Sequence, residues 1–274
     1  MGGVGEDGGM RDTTAGQPLP RTTQAHAGSP KDRFITVYGR NPVIEALTAD
    51  GLVVDKVLLA DTARGPHVSE ILTAARRAGV TVQRVSAERV KKIAGNGKQD
   101  QGVCADVVAP RMRALDAGIA ADLDGAVVIL DGLTTPANVG MIIRTATAAG
   151  CAGIVVPRRG VASLDPLVVK ASAGVAFAAP ILKVATAEEA VTTLRDSGFH
   201  VVGLDASGDD SLFEARLPER TAYVLGGETA GLSPAVADQV DTWVSIPMAS
   251  GVESLNVSAA AAVVCFEVVR RSLS

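Results

Sequence analysis

The 274-residue chain is 47% hydrophobic, 20% charged and only 3% aromatic, with a net charge of −4 and a mean hydropathy of +0.26. That is enough chain for one or two domains, with cores built from Val, Ala, Leu and Ile. The acidity argues against a general nucleic-acid binder; the apolar run AAAVVCF, flanked by Asn256 and Glu267, is too short to span a membrane; and three His without an HExxH pattern offer no obvious metal site.

Residues 1–33, rich in Gly, Thr, Pro and Arg without periodicity, read as a disordered tail, and MGGVGEDGGM lacks a signal pattern. Folding is expected from Phe34. Residues 34–109 read as a small α/β unit. Asn41 and Pro42 open a helix over VIEAL, with Asn41 as its cap. DKVLLA is a strand, and HVSEILTAARRAG an amphipathic helix ended by Gly79. VTVQRV is a strand, SAERVKKIAG a helix capped by Ser86, and a third strand opens at Gly102 after the polar loop GNGKQDQG. This unit carries ten basic and eight acidic residues and is the only positive segment, a hint of an RNA-facing module that chance explains equally well. Residues 110–124 read as a linker with one short helix.

From residue 125 apolar strands alternate with helices. AVVILDG, CAGIVVP, ILKVA, HVVGLDA, AYVLGG and VSIPM are the strands, and a last helix runs from about Leu255 to Arg271. Such alternation builds a doubly wound parallel sheet, with a site beyond the C-terminal strand ends. Cys104, Cys151 and Cys265 lie in apolar surroundings and read as buried reduced thiols of a cytoplasmic protein.

Three polar clusters follow strands. In LTTPANVGMIIRTATAAG, Asn138 stands at the expected helix start, where its side chain can cap free backbone N–H groups, Gly140 permits close approach, and Arg144 interrupts an apolar helix. That Arg either snorkels or pairs with an acid, or aims at a phosphate or reacting oxygen. In LGGETAGL, Gly226, Gly227 and Gly231 surround Glu228, in either an ordinary turn or a ligand loop. In IPMASGVESLNVSAAAA, Ser254 or Asn256 could cap the following helix, and Glu267 could pair with Arg270 on its exposed side. Lys170 reads as solvated, Asp205 as a loop residue, and His200 as lacking triad partners. GxGxxG, P-loop and GxSxG patterns are absent, which disfavours a dinucleotide-binding oxidoreductase.

Together, NVGMIIRTATAAG, GGETAGL and IPMASGVESLNVSAA resemble, in order and spacing, the motifs of the SpoU/TrmH family of SPOUT RNA 2'-O-ribose methyltransferases. YGRNPVIEAL and GNGKQDQGVCA resemble the L30e-like RNA-binding domain of its two-domain, rRNA-type members. The resemblance covers about residues 34–272. It implies a Rossmann-like parallel sheet with a C-terminal trefoil knot, preceded by the small L30e-like domain, and a cytoplasmic homodimer acting without metal. It further implies S-adenosylmethionine held by Leu225, Gly226, Gly227, Ile246, Met248 and Leu255, and RNA met by Arg40, Asn41, Lys98 and Gln101. The catalytic residues it implies are Arg144, Asn138, Glu228, Ser254 and Asn256, with Asn138 orienting Arg144 and Arg144 stabilising the developing alkoxide rather than acting as a simple base. Thr135-Pro136 replaces the Asp-Pro common before the first motif, and Asp100 stands where a His is common. The expected activity is ribose 2'-O-methylation of 23S ribosomal RNA, either as housekeeping or as antibiotic self-protection. A tRNA enzyme is the alternative. A non-enzymatic RNA-binding relative would have lost Asn138, Arg144 or the glycine turn, and all are present.

Overall fold

The computed structural model describes residues 32–95, 99–227, 230–249, 251–252 and 254–273. The tail expected over 1–33 therefore lies outside the described residues as far as residue 31. Asp32 corrects its boundary, being buried and ion-paired with Arg158 from the distant second half of the chain.

The first unit comprises β1 (Phe34–Tyr38), α1 (Arg40–Thr48), β2 (Val54–Ala60), α2 (Pro66–Arg77), β3 (Thr81–Val85), α3 (Ala87–Ala94) and β4 (Val103–Val108). Its sheet runs β1-β4-β2-β3, with β4 antiparallel to both neighbours and β3 parallel to β2. Strand β1, not anticipated from sequence, buries Ile35 and Val37 on one face with the two-residue period of a strand. Ser86 caps α3 by accepting from the Arg89 N–H at 3.3 Å, and Gly95, at φ 67°, ends it in the left-handed region. Asn41 does not cap α1: Gly39 precedes that helix and Asn41 lies inside its first turn, exposed.

Of residues 110–124, expected as a linker with one short helix, the stretch from Arg113 joins the second unit and contains the expected helix, while Met112 packs in the cluster that holds the first unit's core. Strand β5 (Arg113–Ala114) pairs with the edge of the second unit's sheet and α4 (Leu115–Ile119) follows directly. The remaining elements are β6 (Val127–Leu130), α5 (Pro136–Ala148), β7 (Gly153–Pro157), α6 (Pro166–Ala171), β8 (Ile181–Val184), α7 (Ala187–Asp196), β9 (His200–Leu204), β10 (Asp210–Ser211), β11 (Thr221–Leu225), α8 (Pro234–Ala237), β12 (Thr242–Ser245) and α9 (Val257–Ser272). The eight strands are parallel and ordered β10-β12-β9-β11-β6-β7-β8-β5. Alternate residues serve opposite faces. Val128 and Leu130 pack with Val139, Ile142 and Ala261 of α5 and α9, whereas Val127 and Ile129 pack with Val191 and Leu194 of α7. Burial on both faces explains why these strands are continuous apolar runs.

Close helix packing fixes α5. A Cβ on Gly140 would lie 2.5 Å from the Ala171 Cβ and 2.6 Å from the Val168 carbonyl oxygen of α6, so only glycine fits. All three cysteines are free and buried, and burial pushes the Cys104 thiol up to about 12. At the far end of α9 the expected Glu267–Arg270 pair forms, with Arg270 exposed as expected but Glu267 buried. Glu267 is 4% exposed and accepts from both Arg270 and Arg271 at 2.8 Å.

Candidate functional site

The loops leaving β6, β9, β11 and β12 converge at the C-terminal edge of the second sheet, where helices leave ligand crevices in parallel α/β folds. The turn after β11 is closed on itself. The Gly227 N–H donates to the Gly231 carbonyl at 3.0 Å and the Gly231 N–H returns the bond at 2.9 Å. A Cβ on Gly226 would sit 2.4 Å from the Gly231 carbonyl carbon, so that position tolerates no side chain without opening the turn. Asp131, buried at the end of β6, accepts from the Ser233 N–H at 2.6 Å and ties the exit of the turn to the central strand.

A cavity of about 440 Å³ opens beneath this turn. Leu225, Gly226, Gly227, Ser254, Leu255 and Asn256 line it. An adjoining cavity of about 150 Å³ adds Ile246 and Met248 and shares Ser254, Leu255 and Asp205. All six positions expected to hold S-adenosylmethionine thus lie on one continuous hollow, within the size range of small-ligand pockets. Its chemistry fits that ligand. Apolar walls from Leu204, Leu232 and Val257 suit an adenine ring. Asp205 supplies a carboxylate, which hydrogen bonds from the Ser207 hydroxyl and amide hold below the usual carboxylate range, so it is anionic at neutral pH and can meet a cation or ribose hydroxyls.

Asp205 and Asp131 were not foreseen as site residues. The signal available was a carboxylate placed directly after an apolar strand, LDA in one case and LDG in the other.

Among the expected catalytic residues, Asn138 and Asn256 meet. The Asn256 Nδ2 donates to the buried Asn138 Oδ1 at 3.2 Å, and the Asn256 Oδ1 accepts from the Ser258 N–H at 2.9 Å, capping α9. Asn256 rather than Ser254 is therefore the cap. Asn138 is not a cap, because Pro136 starts α5 two residues earlier and Thr135 precedes it. Nor does Asn138 orient Arg144. Six residues along a helix is a rise of about 9 Å and a turn of about 120° to another face. Arg144 is exposed, so no burial cost arises, and it forms no hydrogen bond or ion pair with a described residue. Met141, one turn earlier on the same face, is also exposed. Glu228 lies outside the described residues. Lys170 is exposed, as expected.

In the first unit the Arg40 N–H donates to the Gln101 side-chain oxygen at 3.2 Å. Arg40, the exposed Asn41 and Gln101 thus lie together where α1 begins. Lys98 lies outside the described residues. Asp100 is buried, and its Oδ1 accepts from the Gly102 N–H at 2.7 Å, so its side chain turns inward rather than to the loop surface.

Residues 125–266 match the SpoU rRNA Methylase family, and residues 36–113 match the RNA 2'-O ribose methyltransferase substrate binding domain. The chain is 35% identical over 241 residues to the 23S rRNA (guanosine-2'-O-)-methyltransferase RlmB of Xanthomonas axonopodis pv. citri, covering 86% of this chain and 96% of that protein. Among solved structures it is similar to the SpoU methyltransferase AviRb from Streptomyces viridochromogenes in complex with AdoMet, at 30% identity and a TM-score of 0.61, covering 89% of this chain and 92% of that one.

Proposed function

We propose that this chain, which belongs to the SpoU rRNA methylase family and has its SPOUT fold with an amino-terminal substrate-binding domain, methylates a ribose 2'-hydroxyl of 23S ribosomal RNA. The general reaction, S-adenosylmethionine-dependent RNA ribose 2'-O-methylation, is that of the family. The observation that supports the finer reading is the amino-terminal unit matched over residues 36–113, joined to a domain whose cofactor-type hollow opens beside the Asn138–Asn256 pair.

S-adenosylmethionine, when bound, supplies an activated methyl group on a sulfonium. The chain's own residues do the rest. The glycine turn, Ile246, Met248 and Leu255 would hold the cofactor, and Asp205 would offer its carboxylate to a cationic or hydroxyl group of it. Asn256 fixes the start of α9 against Asn138, so the wall of the hollow is set before RNA arrives. Ser254, exposed at the rim, is placed to hydrogen-bond incoming ribose. Arg144 orients the hydroxyl and stabilises the charge it develops.

The test is methyl mapping on 23S ribosomal RNA after incubation with labelled cofactor. A single labelled 2'-position is expected. Label in tRNA alone would establish the alternative substrate, and none in either, with cofactor bound, would sink the reading.

The working form in this proposal is a homodimer. Met141, one turn before Arg144 on α5, and Leu167 on the contacting helix α6 are 39% and 51% exposed. A second copy would cover this apolar face and close the site around Arg144. Met141→Glu is expected to shift the mass in light scattering from twice the chain mass to the chain mass; a wild-type monomer would overturn the dimer.

A further inference from the structure

A second cavity, of about 350 Å³, lies between the two units. Its walls come from β1 and the end of α3 on one side, and from the ends of β7 and β8 and the loop before α6 on the other. It opens on the same C-terminal sheet edge as the cofactor hollow. Most of its wall is apolar, including Ile35, Ile93, Met112 and Leu164.

The polar groups in it are not balanced. Of the two carboxylates, Asp32 is committed to the Arg158 guanidinium. Asp165 caps α6 through the Leu167 and Val168 N–H groups and accepts from the Tyr38 hydroxyl at 3.2 Å. Lys183 is left over. Its neighbours Leu182 and Val184 point into the opposite core, so the alternation of β8 turns the Lys183 side chain toward the first unit. It is half-buried and forms no hydrogen bond or ion pair with a described residue. Burial, then the nearby Arg158 charge, draw its ammonium down to about 8, although Asp32 opposes the fall. A cation in such a place costs stability unless something pairs with it.

We propose that this interdomain cavity seats one nucleotide of the RNA substrate, its phosphate on Lys183 and its base or sugar face on the apolar wall. Among the described residues, one cation without an ion pair lines the cavity and matches the single charge of a phosphodiester, and the volume falls within the range of small-ligand pockets. The seat would grip RNA between the domain matched to substrate binding and the domain that holds the hollow. It rests on the RNA-methylating reading above.

Filter binding of a 23S ribosomal RNA transcript to wild type, Lys183→Met and Lys183→Arg across a salt series tests the seat, with a cofactor titration on each protein. Lys183→Met is expected to weaken RNA binding about five- to tenfold near 0.1 M salt and make the log–log salt slope shallower by about one. Lys183→Arg is expected to restore most of both, and cofactor affinity to stay unchanged in all three. Equal RNA affinity and slope in wild type and Lys183→Met would overturn the seat while leaving the methyltransferase reading intact. Failure of wild type to bind any RNA would overturn both. Guanosine monophosphate and inorganic phosphate form the second arm: if either binds wild type but not Lys183→Met while RNA binding is unaffected, the occupant is a free anion and the RNA assignment falls.

Discussion

Arg144→Ala is expected to lower the rate of methyl transfer about 10²–10³-fold, the usual cost of removing one preorganised donor to a developing oxyanion, while cofactor affinity stays unchanged. The separation follows from geometry. The cofactor hollow is lined by the turns after β9, β11 and β12 and by the start of α9, whereas Arg144 stands on an exposed face of α5 and forms no hydrogen bond or ion pair with a described residue. Removing it therefore creates no cavity and frees no buried partner, so the melting temperature should hold. Arginine side chains stay protonated in proteins, which favours charge stabilisation over proton abstraction. An ammonium at this position would keep the charge but lose the planar fork, so Arg144→Lys should recover only part of the rate. If the alanine variant showed normal kcat and only a raised KM for RNA, Arg144 would be a phosphate contact and nothing more. Normal kcat and normal KM together would remove it from the site.

What could be read from the sequence depended on how far apart the interacting residues stand. Runs such as VVIL and TAYVL announce buried parallel strands because both faces are covered, and Ser86 announces the start of α3 because its cap is three residues away. The residue type of Asn138 points to a cap at the start of α5. Pro136 begins the helix instead, since its fixed φ and missing N–H suit the first turn, and the freed carboxamide serves a partner 118 residues on. Asp131 holds the Ser233 amide across 102 residues, a contact no local pattern contains. Strand β1 is hard to read from sequence because it is short and follows directly on a tail-like segment, although Ile35 and Val37 in FITVY keep the two-residue period. The interdomain cavity is the extreme case. Lys183 has no ion-pair partner among the described residues because β8 turns it toward a different domain and because Asp32 and Asp165 are already engaged there.

The other large effect is expected on stability. Glu267→Ala should lower the unfolding free energy by about 3 kcal/mol, the low end for breaking a buried ion pair by removing one partner, and lower the melting temperature by roughly 6–12 °C for a chain of this size. The low end applies because the Arg270 side chain is 59% exposed and can return to water. Arg271 cannot do so freely. It is 23% exposed, and its guanidinium also donates to the Leu212 carbonyl beside β10, so loss of Glu267 leaves it half-buried without its acid. Hydrogen bonds from Arg270 and Arg271 hold the Glu267 carboxyl below the usual glutamate range. A depressed folded-state pKa means its stabilisation is complete above about pH 4.5, the ordinary glutamate region, and is lost as pH falls through the folded value. Denaturant melts of wild type and Glu267→Ala should therefore differ by a constant amount near neutral pH and converge in acid, and Glu267→Gln should show the same convergence from a smaller offset. Because α9 begins at the Asn256–Asn138 contact and ends at this cluster, the variant should loosen the helix from its far end. A constant offset persisting well below pH 4 would show that packing, not the charge, carries the effect.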